Sequence, residues 1–252
     1  MRKVRLNPRY RHLEEFILSL PEKMAGNNEG TVIHDGRNTI RLFTAPDGTP
    51  LNVKRYHKPS LLNAVVYSAG IRKAKGLRAF LYPKILLGKG IETPESVAYI
   101  EDRTCGIIGF SYYISIQCPY VHRLYETGDA APEVYEPLAR ALAAMTANMH
   151  DNGVLHRDFS PGNILWDIKD GRYVFSIVDI NRMYFGKVGM RKGCANFARL
   201  WGPKRFISLL TTEYAHLRGF DAAECERIAM DRRSRFWKHY MKKRKVEFEL
   251  EL

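Results

Sequence analysis

The sequence predicts an α+β protein of two lobes, with an antiparallel-sheet lobe first and a mostly helical lobe second. Three observations carry this. Short β-rich runs alternate with Asp-Gly turns between Thr31 and Tyr56, the pattern over 132–150 is that of one long amphipathic helix, and the composition changes at Pro119, where the last strand of the first half ends. The expected division is a helical extension over residues 1–26, a β-rich lobe over 27–117 and a helical lobe over 118–252.

Each element has a local reason. Leu13, Phe16, Ile17 and Leu20 fall on one helical face in the first segment. Thr31-Val32-Ile33, Thr39-Ile40-Arg41-Leu42-Phe43 and Leu51-Asn52-Val53-Lys54-Arg55-Tyr56 are β-prone runs split by the turns His34–Asn38 and Pro46-Asp47-Gly48. They read as a three-stranded antiparallel meander. A helical region follows over roughly 60–88, with a break or kink expected at Pro83. Val97–Glu101 and Gly109–Gln117 are strand-like. In the second half, Leu138, Leu142, Met145 and Met149 form one apolar stripe, and Gly153 stands where a helix C-cap belongs. Asn163–Trp166 and Tyr173–Val178, joined at Lys169-Asp170-Gly171, read as a hairpin, and the chain from about Lys192 reads as mostly helical.

The 252 residues are 45% hydrophobic and 27% charged, which is globular composition and argues against a disordered chain. No run of about 18 apolar residues marks a transmembrane helix, and Phe16–Leu20 is too short for the core of a signal peptide. Cys105, Cys118, Cys194 and Cys225 have neither CxxC pairing nor metal spacing, so they read as free thiols of a reducing cytosol. Forty Lys and Arg against 27 Asp and Glu leave a formal charge of +13. Its distribution matters more than its size. No acid occurs from Leu51 to Ile91, nor from Ile180 to Thr212, a stretch that carries Arg182, Lys187, Arg191, Lys192, Arg199, Lys204 and Arg205. Such stretches point to an anionic partner. Nucleic acid is disfavoured, because no nucleic-acid motif is present and aromatic residues do not interleave with the basic runs. The basic C-terminal run, Arg232 to Lys245, reads as a solvated face.

One segment carries chemistry: His156-Arg157-Asp158-Phe159-Ser160-Pro161-Gly162-Asn163, between a helix and a strand. It resembles the catalytic loop of the protein-kinase-like fold, where H-x-D is followed by Asn five residues after the Asp. The spacing lets a carboxylate meet an attacking hydroxyl while an amide oxygen one turn away ligates Mg2+ on the phosphates. Asp179, sixteen residues after Asn163 at the end of the hairpin, matches the second metal-ligating position. One carboxylate and one amide oxygen suit Mg2+, which keeps waters and phosphate oxygens as its other ligands. Lys54, on the third strand of the meander, stands where the fold places the lysine that contacts the α and β phosphates. No G-x-G-x-x-G loop exists. Gly36 is the only glycine of the first turn, and Arg37 beside it is the candidate to help hold phosphates. The backbone groups of Gln117 and Cys118, at the strand end before Pro119, are expected to be unpaired and to meet adenine.

Several stretches further resemble the lipopolysaccharide kinase family, which phosphorylates Kdo or heptose sugars: Val53–Pro59, Gly90–Glu95, His156–Leu165, Val178–Met183 and Asn196–Leu200. The resemblance spans roughly residues 28–220. It implies a bilobal protein-kinase-like fold, a nucleotide-binding first lobe, ATP and Mg2+, and phosphoryl transfer to a sugar hydroxyl. It also implies an anionic lipid-linked sugar as substrate and a cytoplasmic enzyme peripheral to the inner membrane surface. The family's helix glutamate falls at Leu81 here. Two alternatives stand beside this reading: a kinase of the same fold acting on a protein or small metabolite, and a pseudokinase that binds nucleotide or a partner. Against the latter, Asp158, Asn163 and Asp179 are all present.

Overall fold

The computed structural model describes residues 1–26, 29–127, 130–246 and 251, and they form two units, Met1–Pro119 and Tyr120–Leu252. The first is built on a six-stranded sheet. Its elements are β1 (Arg2–Leu6), α1 (Glu14–Ala25, after a 3-10 turn at Pro8–Leu13), β2 (Thr31–Asp35), β3 (Thr39–Thr44), β4 (Pro50–Tyr56), α2 (Leu61–Ser68), α3 (Lys75–Leu87), β5 (Ser96–Thr104) and β6 (Ile107–Ile116). The strand order is β1-β5-β6-β4-β3-β2, and every pairing is antiparallel. The expected meander is thus one half of a larger sheet.

Alternation along β4 sets the faces. Leu51 and Val53 lie in one core with Ile17, Leu20 and Met24 of α1 and with Val97, Ile100 and Ile114. Arg55 follows on that face and donates to the Met24 carbonyl at the end of α1. Asn52, Lys54 and Tyr56 therefore point to the other face. The N-terminal segment is integral to this unit. β1 adds an edge strand, Arg2 to Leu6 against Asp102 to Ala98, that the helical reading of the first residues did not foresee. Its alternation, Val4 and Leu6 between Lys3 and Arg5, is only two apolar residues long, and all of the strand but Leu6 is exposed. Glu95 holds the turn that follows, by bonds from Asn7 Nδ2, Arg9 Nη1 and Tyr10 Oη.

The helical region after β4 breaks earlier than expected. It divides between Ser68 and Lys75, where Gly70 takes a left-handed φ of 74°, and Pro83 lies inside α3. A proline forfeits one helix bond, whereas a left-handed residue redirects the chain. Gly76 on α3 is a close approach: a Cβ there would stand 2.7 Å from the Tyr99 ring.

The second unit comprises β7 (His122–Arg123), α4 (Pro132–Asp151), β8 (Val154–His156), β9 (Ile164–Lys169), β10 (Arg172–Ile177), β11 (Met183–Phe185), α5 (Met190–Cys194), α6 (Lys204–Leu217) and α7 (Ala222–Met241). Leu138, Leu142 and Met149 of the α4 stripe are buried. Asp170 and Gly171, with φ of 49° and 71°, make the tight β9–β10 turn that the Asp-Gly pair predicts. Gly153 has a φ of 70° and meets the Gly186 backbone, so α4 ends there and the chain enters β8, which pairs with β11. One residue of the basic C-terminal run departs from the solvated reading. Arg233 is 1% exposed and donates to the Leu200 and Gly202 carbonyls. No helix among the described residues is long and apolar enough to cross a membrane.

Candidate active site

In the second unit the loop after β8 is fixed by its own backbone. His156 is fully buried. The Asp158 N–H donates to its Nδ1 at 3.0 Å, which leaves the ring proton on Nε2, 2.9 Å from the Val178 carbonyl it donates to. One imidazole thereby ties the Asp158 turn to the residue that precedes Asp179. Burial drives the His156 pKa down, against the opposing pull of the Val178 bond and of the Asp179 and Asp158 charges. A neutral ring is what these two bonds require. Phe159, also fully buried, pins the loop beside the Phe197 ring.

Asn163 closes the loop. Its Nδ2 donates to the Asp158 carbonyl at 2.9 Å, and its backbone carbonyl accepts from the Val178 N–H at 3.0 Å. The amide nitrogen is committed, so Oδ1 is the end suited to a cation. Asp179 has a φ of 53° and a ψ of 42°, a left-handed conformation rare outside glycine but accessible to Asp. Its Oδ1 accepts from the buried Asn181. The structure thus brings Asp158, Asn163 and Asp179 together through His156 and Val178. Two oxygen donors of this kind fit Mg2+ that takes its remaining ligands from phosphate and water. Among the described residues no group of three His, Cys, Asp or Glu side chains could hold a metal unaided.

The Asp158 carboxylate, 23% exposed, meets two arginines: Arg199 Nη1 lies 2.6 Å from Oδ1 and Arg182 Nη1 lies 3.5 Å from Oδ2. Nothing in the sequence marked these pairs beyond the acid-free stretch that contains both residues.

Behind the loop runs a directional chain of buried bonds. Arg218 Nη1 donates to Tyr214 Oη (2.6 Å), Tyr214 to His150 Nδ1 (2.8 Å), His150 Nε2 to Asn196 Oδ1 (3.1 Å), and Asn196 Nδ2 to the His156 carbonyl (2.9 Å). Arg218 also binds Asp151 and the Val188 carbonyl. Burial pushes the His150 pKa down to about 4 and the Tyr214 pKa up. Sequence reading missed this chain, since its members lie on α4, α6 and the turn after α5 with no common spacing.

In the first unit, Lys54 sits between Ile40 of β3 and Tyr113 of β6. It is 9% exposed, and its ammonium lies 5.3 Å from the Tyr56 ring centre. Leu81 is half-buried on α3. In the β2–β3 turn Arg37 is exposed, while Asn38 Oδ1 accepts from the His57 N–H. At the strand end the expectation of unpaired groups is corrected for the Gln117 N–H and the Cys118 carbonyl. The Gln117 N–H donates to the Pro50 carbonyl because the β4–β6 ladder continues one rung beyond β6. The Gln117 side chain accepts from Asn52 and donates to the Cys118 carbonyl, and Cys118 is buried.

Comparison with known proteins agrees with this architecture. Residues 118–191, which hold the His156–Asp179 assembly, match the model of the phosphotransferase enzyme family called APH. A structure of WaaP in complex with acyl carrier protein superposes with a TM-score of 0.60 at 16% identity, over 95% of this chain and 98% of that one. The Rio2 kinase of Chaetomium thermophilum, in an ADP/Mg2+-phosphoaspartate complex, superposes with a TM-score of 0.50 at 11% identity, over 93% of this chain and 78% of that one. No curated protein matches by sequence. With an antiparallel-sheet unit followed by a helical one, and with these structural matches, the chain has a protein-kinase-like fold.

Proposed function

We propose that the protein is an ATP- and Mg2+-dependent kinase that phosphorylates a sugar hydroxyl of the lipopolysaccharide inner core, Kdo or heptose. The observation that carries the kinase reading is the His156 ring joining the Asp158 turn to the segment before Asp179, with Asn163 closing the same loop. Asp158 is assigned as the catalytic residue: it orients the acceptor hydroxyl and takes its proton as the new O–P bond forms and ADP leaves. Asn163 and Asp179 are assigned to Mg2+, which when bound neutralises charge on the phosphates. Lys54 is assigned to the α and β phosphates, with Arg37 as an accessory. The backbone carbonyl of Gln117 and the backbone of Cys118 are assigned to adenine. The Rio2 match, a structure with ADP and Mg2+, supports this nucleotide chemistry, and the WaaP match, together with the motifs read above, supports the acceptor class.

A peripheral position on an anionic membrane is part of the proposal. Leu61, Leu62 and Ile71 are 78%, 77% and 77% exposed, in a segment with Lys58, Arg72, Lys73 and Lys75 and no acid from Leu51 to Ile91. Apolar side chains within a purely basic segment suit a uniformly negative bilayer better than a protein surface of mixed sign.

The test is transfer from labelled ATP with Mg2+ to Kdo–lipid A, beside a generic protein acceptor. Label in the lipid that is lost in Asp158→Ala supports the reading. Label in the protein acceptor alone would replace the sugar acceptor with a protein one.

A further inference from the structure

Each oxygen of the Asp158 carboxylate is held by a different arginine, and the two arginines are held very differently. Arg199 is the fixed one. Its Nη1 lies 2.6 Å from Oδ1, and its guanidinium carbon lies 5.0 Å from the centre of the Phe236 ring on α7. The backbone beside it is anchored to the same helix, since the Leu200 carbonyl accepts from Arg233 Nε and Trp237 Nε1 at 3.3 and 3.2 Å. Arg182 is the loose one. Its side chain is 54% exposed, and its Nη1 stands 3.5 Å from Oδ2, beyond a good charge-assisted bond. Its backbone is nevertheless placed, because its carbonyl accepts from the Arg157 N–H.

From this asymmetry we infer that Arg182 is the receptor for an anionic group on the acceptor, and that Arg199 is a positioning residue that keeps Asp158 in place while they exchange. The inference rests on the kinase reading and deepens it. A hydroxyl that donates to Asp158 needs a carboxylate lone pair that no guanidinium occupies, and Oδ2, whose arginine stands 3.5 Å away, offers one more readily than Oδ1. Once the hydroxyl proton has passed to Oδ2, the Arg182 guanidinium stands beside the reacting group without its counter-ion. Asp179, three residues earlier, accepts from Asn181 and is assigned to Mg2+, so a carboxylate or phosphate of the acceptor is the partner that the planar fork of Arg182 matches. A neutral acceptor gains the same hydroxyl contact but brings no charge to meet Arg182. The site therefore selects hydroxyl acceptors that carry a carboxylate or phosphate beside the reacting group. In the transfer itself the hydroxyl O–P bond forms, the bond from the γ phosphorus to the β-bridging oxygen breaks, ADP leaves with that electron pair, and the hydroxyl proton passes to Asp158 Oδ2.

The experiment measures kcat and KM on three acceptors: intact Kdo–lipid A, the same lipid with its Kdo carboxylates methyl-esterified, and the same lipid with its phosphates removed. The two altered forms distinguish a carboxylate from a phosphate as the recognised anion. The wild type should prefer the intact acceptor over one altered form by about 100-fold in kcat/KM. Arg182→Gln should bring that ratio near one, mainly through KM for the intact form. Arg199→Lys should instead lower kcat and keep the ratio. A wild type that uses all three forms equally, or an Arg182→Gln variant that retains the wild-type ratio, would overturn the inference while the kinase reading stands. A wild type that binds Mg·ATP but phosphorylates none of the three would overturn the inference and the proposed acceptor class together.

Discussion

Lowering the pH should destabilise the second unit through one buried histidine. His150 accepts from Tyr214 at Nδ1 and donates to Asn196 from Nε2, so it is held as the neutral ring, with a pKa of about 4 against an ordinary value of 6.5. As pH falls, the unfolded chain takes up this proton first. The stability it reflects is fully present above pH ~6.5 and is lost as pH falls toward ~4. Between pH 7 and pH 5 the loss is roughly 2 kcal/mol from this residue alone. His156 adds a loss of the same sign, because burial lowers its pKa as well. A His150→Gln variant separates the two, since it keeps an amide acceptor and donor but cannot titrate. Urea unfolding followed by tryptophan fluorescence is the assay, and Trp166, Trp201 and Trp237 all lie in the second unit. The variant should start less stable at pH 7 and lose roughly 2 kcal/mol less than the wild type on going to pH 5. Equal losses in the two proteins would refute the argument that His150 is buried as the neutral form.

Other outcomes follow from particular contacts. Asp179→Ala should remove Mg2+-dependent ATP binding while ATP without metal binds as weakly as before, and calorimetry showing wild-type Mg·ATP affinity would count against Asp179 as a ligand. Gly193→Ala should cost roughly 3 kcal/mol, because its Cβ would stand 2.0 Å from Tyr214 Oη and 3.3 Å from His150 Nδ1. A variant as stable as the wild type in the same urea titration would show that this contact yields freely. Replacing Leu61, Leu62 and Ile71 by Ser together should weaken sedimentation with phosphatidylglycerol vesicles by at least about tenfold, with little change in stability, because all three side chains are exposed. Undiminished sedimentation would remove this face from the membrane proposal, and retention by an acidic protein but not by vesicles would reassign it.

The loop that joins Asp158 to Asn163 was legible in the sequence because it is local. Asp158 and Asn163 are five residues apart, and one turn of chain suffices to join the Asn163 amide to the Asp158 carbonyl. The β2–β3–β4 meander and the β9–β10 hairpin were legible for the same reason, since Asp-Gly turns and alternating side chains act over a few residues. Edge strand β1 was not legible. Its pairing partner is about a hundred residues away, and its own alternation is only Val4 and Leu6, too short to mark a strand. The expectation of unpaired groups at Gln117 failed because a ladder rung depends on where β4 begins, not on the proline two residues later.

The sequence by itself determined the fold class, the β2–β3–β4 meander, helix α4, the β9–β10 hairpin and the choice of Asp158, Asn163, Asp179 and Lys54 as candidates, since turns, periodicity and short spacings are encoded within a few residues. Tertiary structure decided what surrounds that chemistry. It set the left-handed backbone of Asp179, the tautomer of His156, the buried chain from Arg218 to Asn196, and the unequal hold of Arg199 and Arg182 on Asp158. The bonds from His156 to Val178, from Tyr214 through His150 and Asn196 to His156, and from both arginines to Asp158 join residues about 20 to 65 positions apart, and side chains so separated meet only after burial of the apolar core has fixed the helices and strands that carry them.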